Sequence, residues 1–172
     1  MDVRSIANVM SHISLYFAGG CALGMLVYWK MHANYLMFFL ALPGTIVHEL
    51  CHYLVALLTN SKPSHFTIFP KRVRGGWELG SVRFVPGVFS GGFVALAPLY
   101  LMPPIAFAAW WFSHGMNVYW QMALGYLAGL ATGFMWPSSV DWKVAWYRPV
   151  GTILFFLMVG AAICYYFHFI HP

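Results

Sequence analysis

The sequence predicts an all-α membrane protein: about five transmembrane helices, with a short cytoplasmic β-hairpin-like loop between helices two and three. Three observations lead there. Of 172 residues, 61% are hydrophobic and only 8% are charged, whereas a soluble domain carries roughly 25% charged residues. The apolar residues gather into five runs, each long enough to cross or nearly cross a bilayer. One stretch, residues 60–86, stays polar, and within it apolar and aromatic residues flank Gly75-Gly76 as they would in a hairpin.

The first expected span, residues 13–29, contains Ala18, Gly19, Gly20, Ala22 and Gly24, small enough for close helix packing. Ahead of it, Arg4 and an apolar stretch lack a small-residue cleavage site, so the segment reads as a retained helix rather than a removed signal. The second span, 35–59, holds Pro43-Gly44, a pair that either loosens the helix to admit water or a peptide or serves packing alone. Residues 60–86 carry five of the nine basic residues. They form either a basic loop on lipid headgroups or an exposed strand edge, near residues 77–85, able to bind an extended substrate.

The third span, 87–112, has Gly91-Gly92 near its start and Pro98, Pro103 and Pro104 within it, which predicts a broken or kinked helix. The fourth, 118–136, places Gly125, Gly129 and Gly133 at four-residue spacing, a stripe suited to close packing. Beyond Pro137, a serine of the Ser138-Ser139 pair is placed to cap a short helix, and the last span covers 150–170. With no internal repeat, residues 1–172 read as a single polytopic domain.

A net charge of +5 fits either nucleic acid or an anionic membrane face, and the hydropathy excludes the first. With five spans, Arg4, Lys62, Lys71, Arg72, Arg74, Arg83, Lys143 and Arg148 share one side, leaving Lys30 on the other. The excess puts the N-terminus in the cytoplasm and the C-terminus outside; compactness points to a bacterial plasma membrane. Three cysteines without a C-x-x-C pair indicate neither a disulfide framework nor a thiolate zinc knuckle.

Within the second span lies His48-Glu49-Leu50-Cys51-His52. On a helix, histidines four apart face the same side and can hold one zinc ion, while Glu49 can take a proton from metal-bound water. A glutamate near the centre of a bilayer costs about 2.5–3.5 kcal/mol on insertion scales, so its presence calls for a function. A catalytic zinc generally has three protein ligands. The candidates for the third are Asp141, Glu78, Cys51 and histidines 12, 32, 65, 114, 168 and 171. Asp141 is favoured, because it follows an apolar span that ends on the correct side. Cys51 would crowd a metal already held from positions 48 and 52 and reads as a small buried residue. His114, His168 and His171 read as interfacial, and His12 and His65 remain weaker alternatives.

These residues resemble the site-2 protease family of intramembrane zinc metalloproteases. The likeness covers a three-span core: the H-E-x-x-H helix, a basic hairpin-like loop, a glycine-rich span, and a later span ending in an aspartate, with one further span at each end. It implies that His48, His52 and Asp141 bind one Zn2+ and that Glu49 is the general base. It also implies a membrane-protein substrate held in extended form by loop strands. The family commonly has Leu-Asp-Gly near an Asn/Pro stretch, where this chain has Val140-Asp141-Trp142 after Pro137.

The expected function is hydrolysis of a peptide bond in a membrane-embedded substrate. One alternative is a non-proteolytic zinc-binding membrane chaperone, regulator or transporter subunit. Another is a metal-dependent hydrolase of lipids or small amides.

Overall fold

The computed structural model describes residues 15–31, 35–68, 71–73, 76–78, 80–166 and 168. These form seven helices: α1 (Leu15–Lys30), α2 (Tyr35–Leu58), α3 (Ser90–Ala95), α4 (Ala97–Ser113), α5 (Val118–Phe134), α6 (Ser139–Tyr147) and α7 (Pro149–Tyr165). Four short strands join α2 to α3: β1 (Ser64–Thr67), β2 (Lys71–Val73), β3 (Gly76–Glu78) and β4 (Ser81–Arg83). The retained-helix expectation for the N-terminal segment falls outside the described residues.

The closest helix pair is α1 against α5, and glycine makes it possible. A Cβ at Gly20 or Gly24 would overlap the backbone of Met122 or Tyr126; one at Gly125 or Gly129 would overlap that of Phe17 or Cys21. Gly19 meets nothing within 4 Å, so the stripe is narrower than the small-residue composition suggests. One turn beyond Gly129, Gly133 accepts the Tyr28 ring, which packs edge-on against Phe134.

Helix α2 runs unbroken through Pro43. Its buried positions Ala41, Gly44, Thr45, His48, Cys51, His52 and Val55 recur at three- and four-residue intervals, giving one inward face. Gly44 has a packing role: a Cβ there would stand 2.5 Å from the Phe134 ring. The Pro43-Gly44 pair thus seats α5 rather than opening α2.

The third apolar run is two helices, divided at Leu96. Pro98 sits in the first turn of α4, where a missing N–H is tolerated, whereas Pro103 and Pro104 lie inside α4 without ending it. Gly92 of α3 abuts Thr152 and Gly151 of α7. This contact, with Ala95, Leu96, Ala145 and Phe155, forms a small second core beside the main one. Between α6 and α7 the chain bends by 100°.

The expected hairpin is a nested pair. β2 and β3 are antiparallel, Arg72 opposite Trp77 and Val73 opposite Gly76. Gly76, half of the expected glycine turn, is therefore already in strand. Outside it β1 pairs with β4, Phe66 opposite Val82 and Thr67 opposite Ser81, with an irregularity between Ser64 and Phe66.

Among the described helices, α2 alone is long and apolar enough by itself to cross a membrane, and α6 with α7 meets the same measure only as a bent pair. Helices α1, α4, α5 and α7 have 16 or 17 residues. Seventeen residues reach about 25 Å, short of a hydrocarbon layer of about 30 Å.

Candidate metal centre

Helical periodicity puts His48, Glu49 and His52 of α2 on adjoining positions of one face, and packing buries both histidines, at 7% and 4% exposure. Their rings are held by the protein backbone. His48 Nδ1 donates to the Phe134 carbonyl at 2.6 Å, and His52 Nδ1 donates to the Val94 carbonyl at 2.7 Å. With each Nδ1 carrying the proton, each Nε2 is left with its lone pair, and the two Nε2 atoms stand 3.2 Å apart. Two unprotonated nitrogens at that distance repel each other unless a cation lies between them, and such carbonyl partners orient metal-binding imidazoles in general.

The third group arrives from α6. Ser138 caps that helix and Asp141 completes a capping box: Asp141 N–H donates to Ser138 Oγ at 3.2 Å, and Ser138 N–H donates to Asp141 Oδ2 at 2.7 Å. The cap turns the carboxylate toward α2, with Oδ1 3.3 Å from His52 Nε2 and Oδ2 3.6 Å from His48 Nε2. Burial alone would raise the Asp141 pKa. The His48 and His52 imidazoles beside it and the Ser138 bond outweigh that cost and hold the carboxyl well below the usual carboxylate range.

The three contacts measure 3.2, 3.3 and 3.6 Å. Tetrahedral ligand atoms about 2.0–2.2 Å from one ion lie roughly 3.3–3.6 Å apart. The two imidazole nitrogens, with one carboxylate oxygen near each, lie at separations of that size, and among the described residues His48, His52 and Asp141 form the group able to hold a metal ion. Cys51 is buried in the main core. His65 is exposed on β1, and His114 bonds the Trp110 and Trp111 carbonyls at the end of α4. His12, His32, His171 and the Glu78 side chain lie outside the described residues.

A cavity of about 620 Å³ opens onto the group. On one side it is lined by Thr45, His48, Glu49 and His52 of α2, on another by Gly80, Ser81 and Val82 at the start of β4, and on a third by residues 136–141. Gly80 rides directly on Glu49: a Cβ there would come within 2.9 Å of Glu49 Cγ and 3.3 Å of Oε1. The residues that sequence reasoning missed act mainly through the backbone: the Val94 and Phe134 carbonyls, and Gly80 above the glutamate. Gly80 had a visible signal, a glycine inside the strand-like stretch. The carbonyls had none.

No family model, curated protein or solved structure matches the chain.

Proposed function

We propose that the chain is an intramembrane zinc metalloprotease of the site-2 protease kind, hydrolysing a peptide bond in a membrane-embedded substrate. The observation that carries this reading is the convergence of His48 Nε2, His52 Nε2 and an Asp141 carboxylate oxygen beside Glu49 in one cavity. Two neutral imidazoles and one carboxylate suit zinc, and three protein ligands leave a position open, as catalytic zinc requires. When bound, the ion supplies Lewis acidity toward a carbonyl and lowers the pKa of a water toward about 7.

The chain's own residues carry the remaining roles. Glu49 takes the proton given up by the attacking water and passes it to the leaving amine. Among the described residues β4 pairs with β1 alone, and Gly80, Ser81 and Val82 line the cavity, which supports adding an extended peptide to β4 as a further strand. A helical substrate hides its carbonyls, so such pairing selects an unwound segment. The bilayer reading rests on α2, and on the large apolar side chains exposed around the helices, among them Phe39, Leu54, Phe107, Trp111 and Leu157. In that setting the N-terminus and the strands face the cytoplasm, by the distribution of basic residues.

The test is Glu49→Gln in purified, zinc-loaded protein. It should retain one zinc per chain and lose cleavage of a membrane-embedded reporter by at least about 100-fold. Equal cleavage by the variant would refute the assignment. Cleavage absent from both forms, with zinc bound, would favour the non-proteolytic alternative.

A further inference from the structure

We propose that the Thr45 hydroxyl is a substrate-binding group, donating a hydrogen bond to a peptide carbonyl two residues away from the bond that is cut. The inference rests on the hydrolase reading and adds a residue to it. Thr45 lines the cavity, three residues before His48 and four before Glu49, and so continues the same face of α2 by one turn.

Its chemistry sets it apart. The chain has five threonines, and four of them satisfy their hydroxyls within the protein. Thr59 and Thr132 return to the carbonyls of Val55 and Ala128, one helical turn back, Thr152 bonds the Ala145 carbonyl at 2.7 Å, and Thr67 bonds across the strands to Ser81. Thr45 is 3% exposed, yet its Oγ1 meets no hydrogen-bond partner among the described residues. The local bond back to Ala41 is the usual outlet for a helical threonine, and here it is not used. A buried hydroxyl left unmade is costly, so a group entering the cavity gains by bonding it.

Spacing indicates what that group is. A peptide added to the edge of β4 left without a strand partner among the described residues turns every second residue's carbonyl away from β4; α2 packs beside β4, and the inference sets those carbonyls on its Thr45–Glu49 face. Such carbonyls recur at about 6.6–6.8 Å along an extended chain. Four residues of helix, from Thr45 to Glu49, rise about 6 Å. When one carbonyl is presented to Glu49 and the metal group, its neighbour of the same orientation lies near the Thr45 hydroxyl. The bond would fix the register of the added strand, and with it the peptide bond that reaches the site.

The experiment compares zinc-loaded wild type, Thr45→Val, Thr45→Ser and Glu49→Gln on an internally quenched apolar peptide with a central Asn-Gly break, in detergent micelles. Valine keeps the shape and removes the donor; serine keeps the donor. The inference expects Thr45→Val to raise KM about tenfold with kcat within about twofold, zinc content to be unchanged, and Thr45→Ser to stay near wild type. Should Thr45→Val fail to fold, Thr45→Ala carries the same comparison against Thr45→Ser. Wild-type KM in the donor-less variant, with Glu49→Gln inactive, would overturn this inference and leave the hydrolase reading standing. Loss of zinc from Thr45→Val would make the hydroxyl a support of the metal group and would also overturn it. No cleavage by any form would end both.

Discussion

Asp141 stands in two arrangements, a helix cap and the group proposed to hold zinc, and substitution can separate them. It closes the capping box of α6 with Ser138, at 2.7 and 3.2 Å, and it presents its oxygens 3.3 and 3.6 Å from the two histidine Nε2 atoms. Asp141→Asn keeps an oxygen for the Ser138 N–H and nearly the same volume, so α6 should stay folded. The variant loses the negative charge that makes this corner of the triangle a strong ligand. Ser138→Ala does the reverse: it strips one cap bond, worth about 1 kcal/mol, and leaves the carboxylate in place but less firmly aimed. Changes of that indirect kind typically weaken metal binding about 10–100-fold. The loss of a ligand should exceed that range. Chelator competition for zinc and urea unfolding of the metal-free protein in micelles therefore give opposite rankings. Asp141→Asn should lose more than about 100-fold in affinity with little change in stability, and Ser138→Ala should be the less stable variant but the tighter binder. Wild-type zinc affinity in Asp141→Asn would show that the carboxylate is a helix cap and no ligand.

Other consequences follow from close contacts. Gly80→Ala places a methyl 2.9 Å from Glu49 Cγ, so on the proposed hydrolase reading it should lower kcat about tenfold by displacing Glu49 while zinc content holds; an unchanged kcat would argue against Glu49 as the base. Gly129→Leu drives a side chain into the Cys21 backbone and should cost about 3 kcal/mol or prevent folding, whereas Gly19→Leu, at a position facing open space, should be neutral. Thermal unfolding of the pair checks this. Ser61 is 3% exposed and links Thr59 to Ser90 through bonds of 3.0 and 2.8 Å. Ser61→Ala should destabilise by about 1–2 kcal/mol, read by the same melting assay.

How far the sequence revealed the molecule depends on which atoms carry each feature. The helices were visible because apolar runs and their breakers are written in side chains. The boundaries of α2 fell within a residue of expectation, and the division of the third run was foreseen from its prolines. Ser138 was seen as a possible cap because serine before a short helix has one common use. What escaped was the work of main-chain atoms and of missing ones: the carbonyls that orient His48 and His52, the absent Cβ of Gly80, and the place of Gly76 inside a strand. The coming together of Asp141 with the histidines was an expectation from membrane sidedness and from family likeness. Nothing local at Asp141 distinguishes a ligand from a helix cap, and the structure gives it the geometry of both.

Pro98 links that missing information back to the sequence. In a continuous helix the Val94 carbonyl would accept from the N–H four residues on, and residue 98, a proline, has none to give. The carbonyl takes His52 Nδ1 at 2.7 Å in place of that donor, beside the N–H of the Leu96 cap. A parallel holds at His48: the Phe134 carbonyl would take the N–H of Ser138, but that N–H is committed to Asp141 Oδ2, and His48 Nδ1 bonds the carbonyl at 2.6 Å. Both imidazoles are thus aimed by helix ends kept short of donors, one by proline and one by the capping box. Pro98→Ala restores a donor to Val94 and sets it in competition with His52. Alanine suits the first turn of a helix, so the metal-free protein should keep its stability, while zinc affinity should fall about 10–100-fold as the ring loses its fixed tautomer. Wild-type affinity in Pro98→Ala would show that the ring is held by packing alone, and that the break before α4 has no part in forming the metal group.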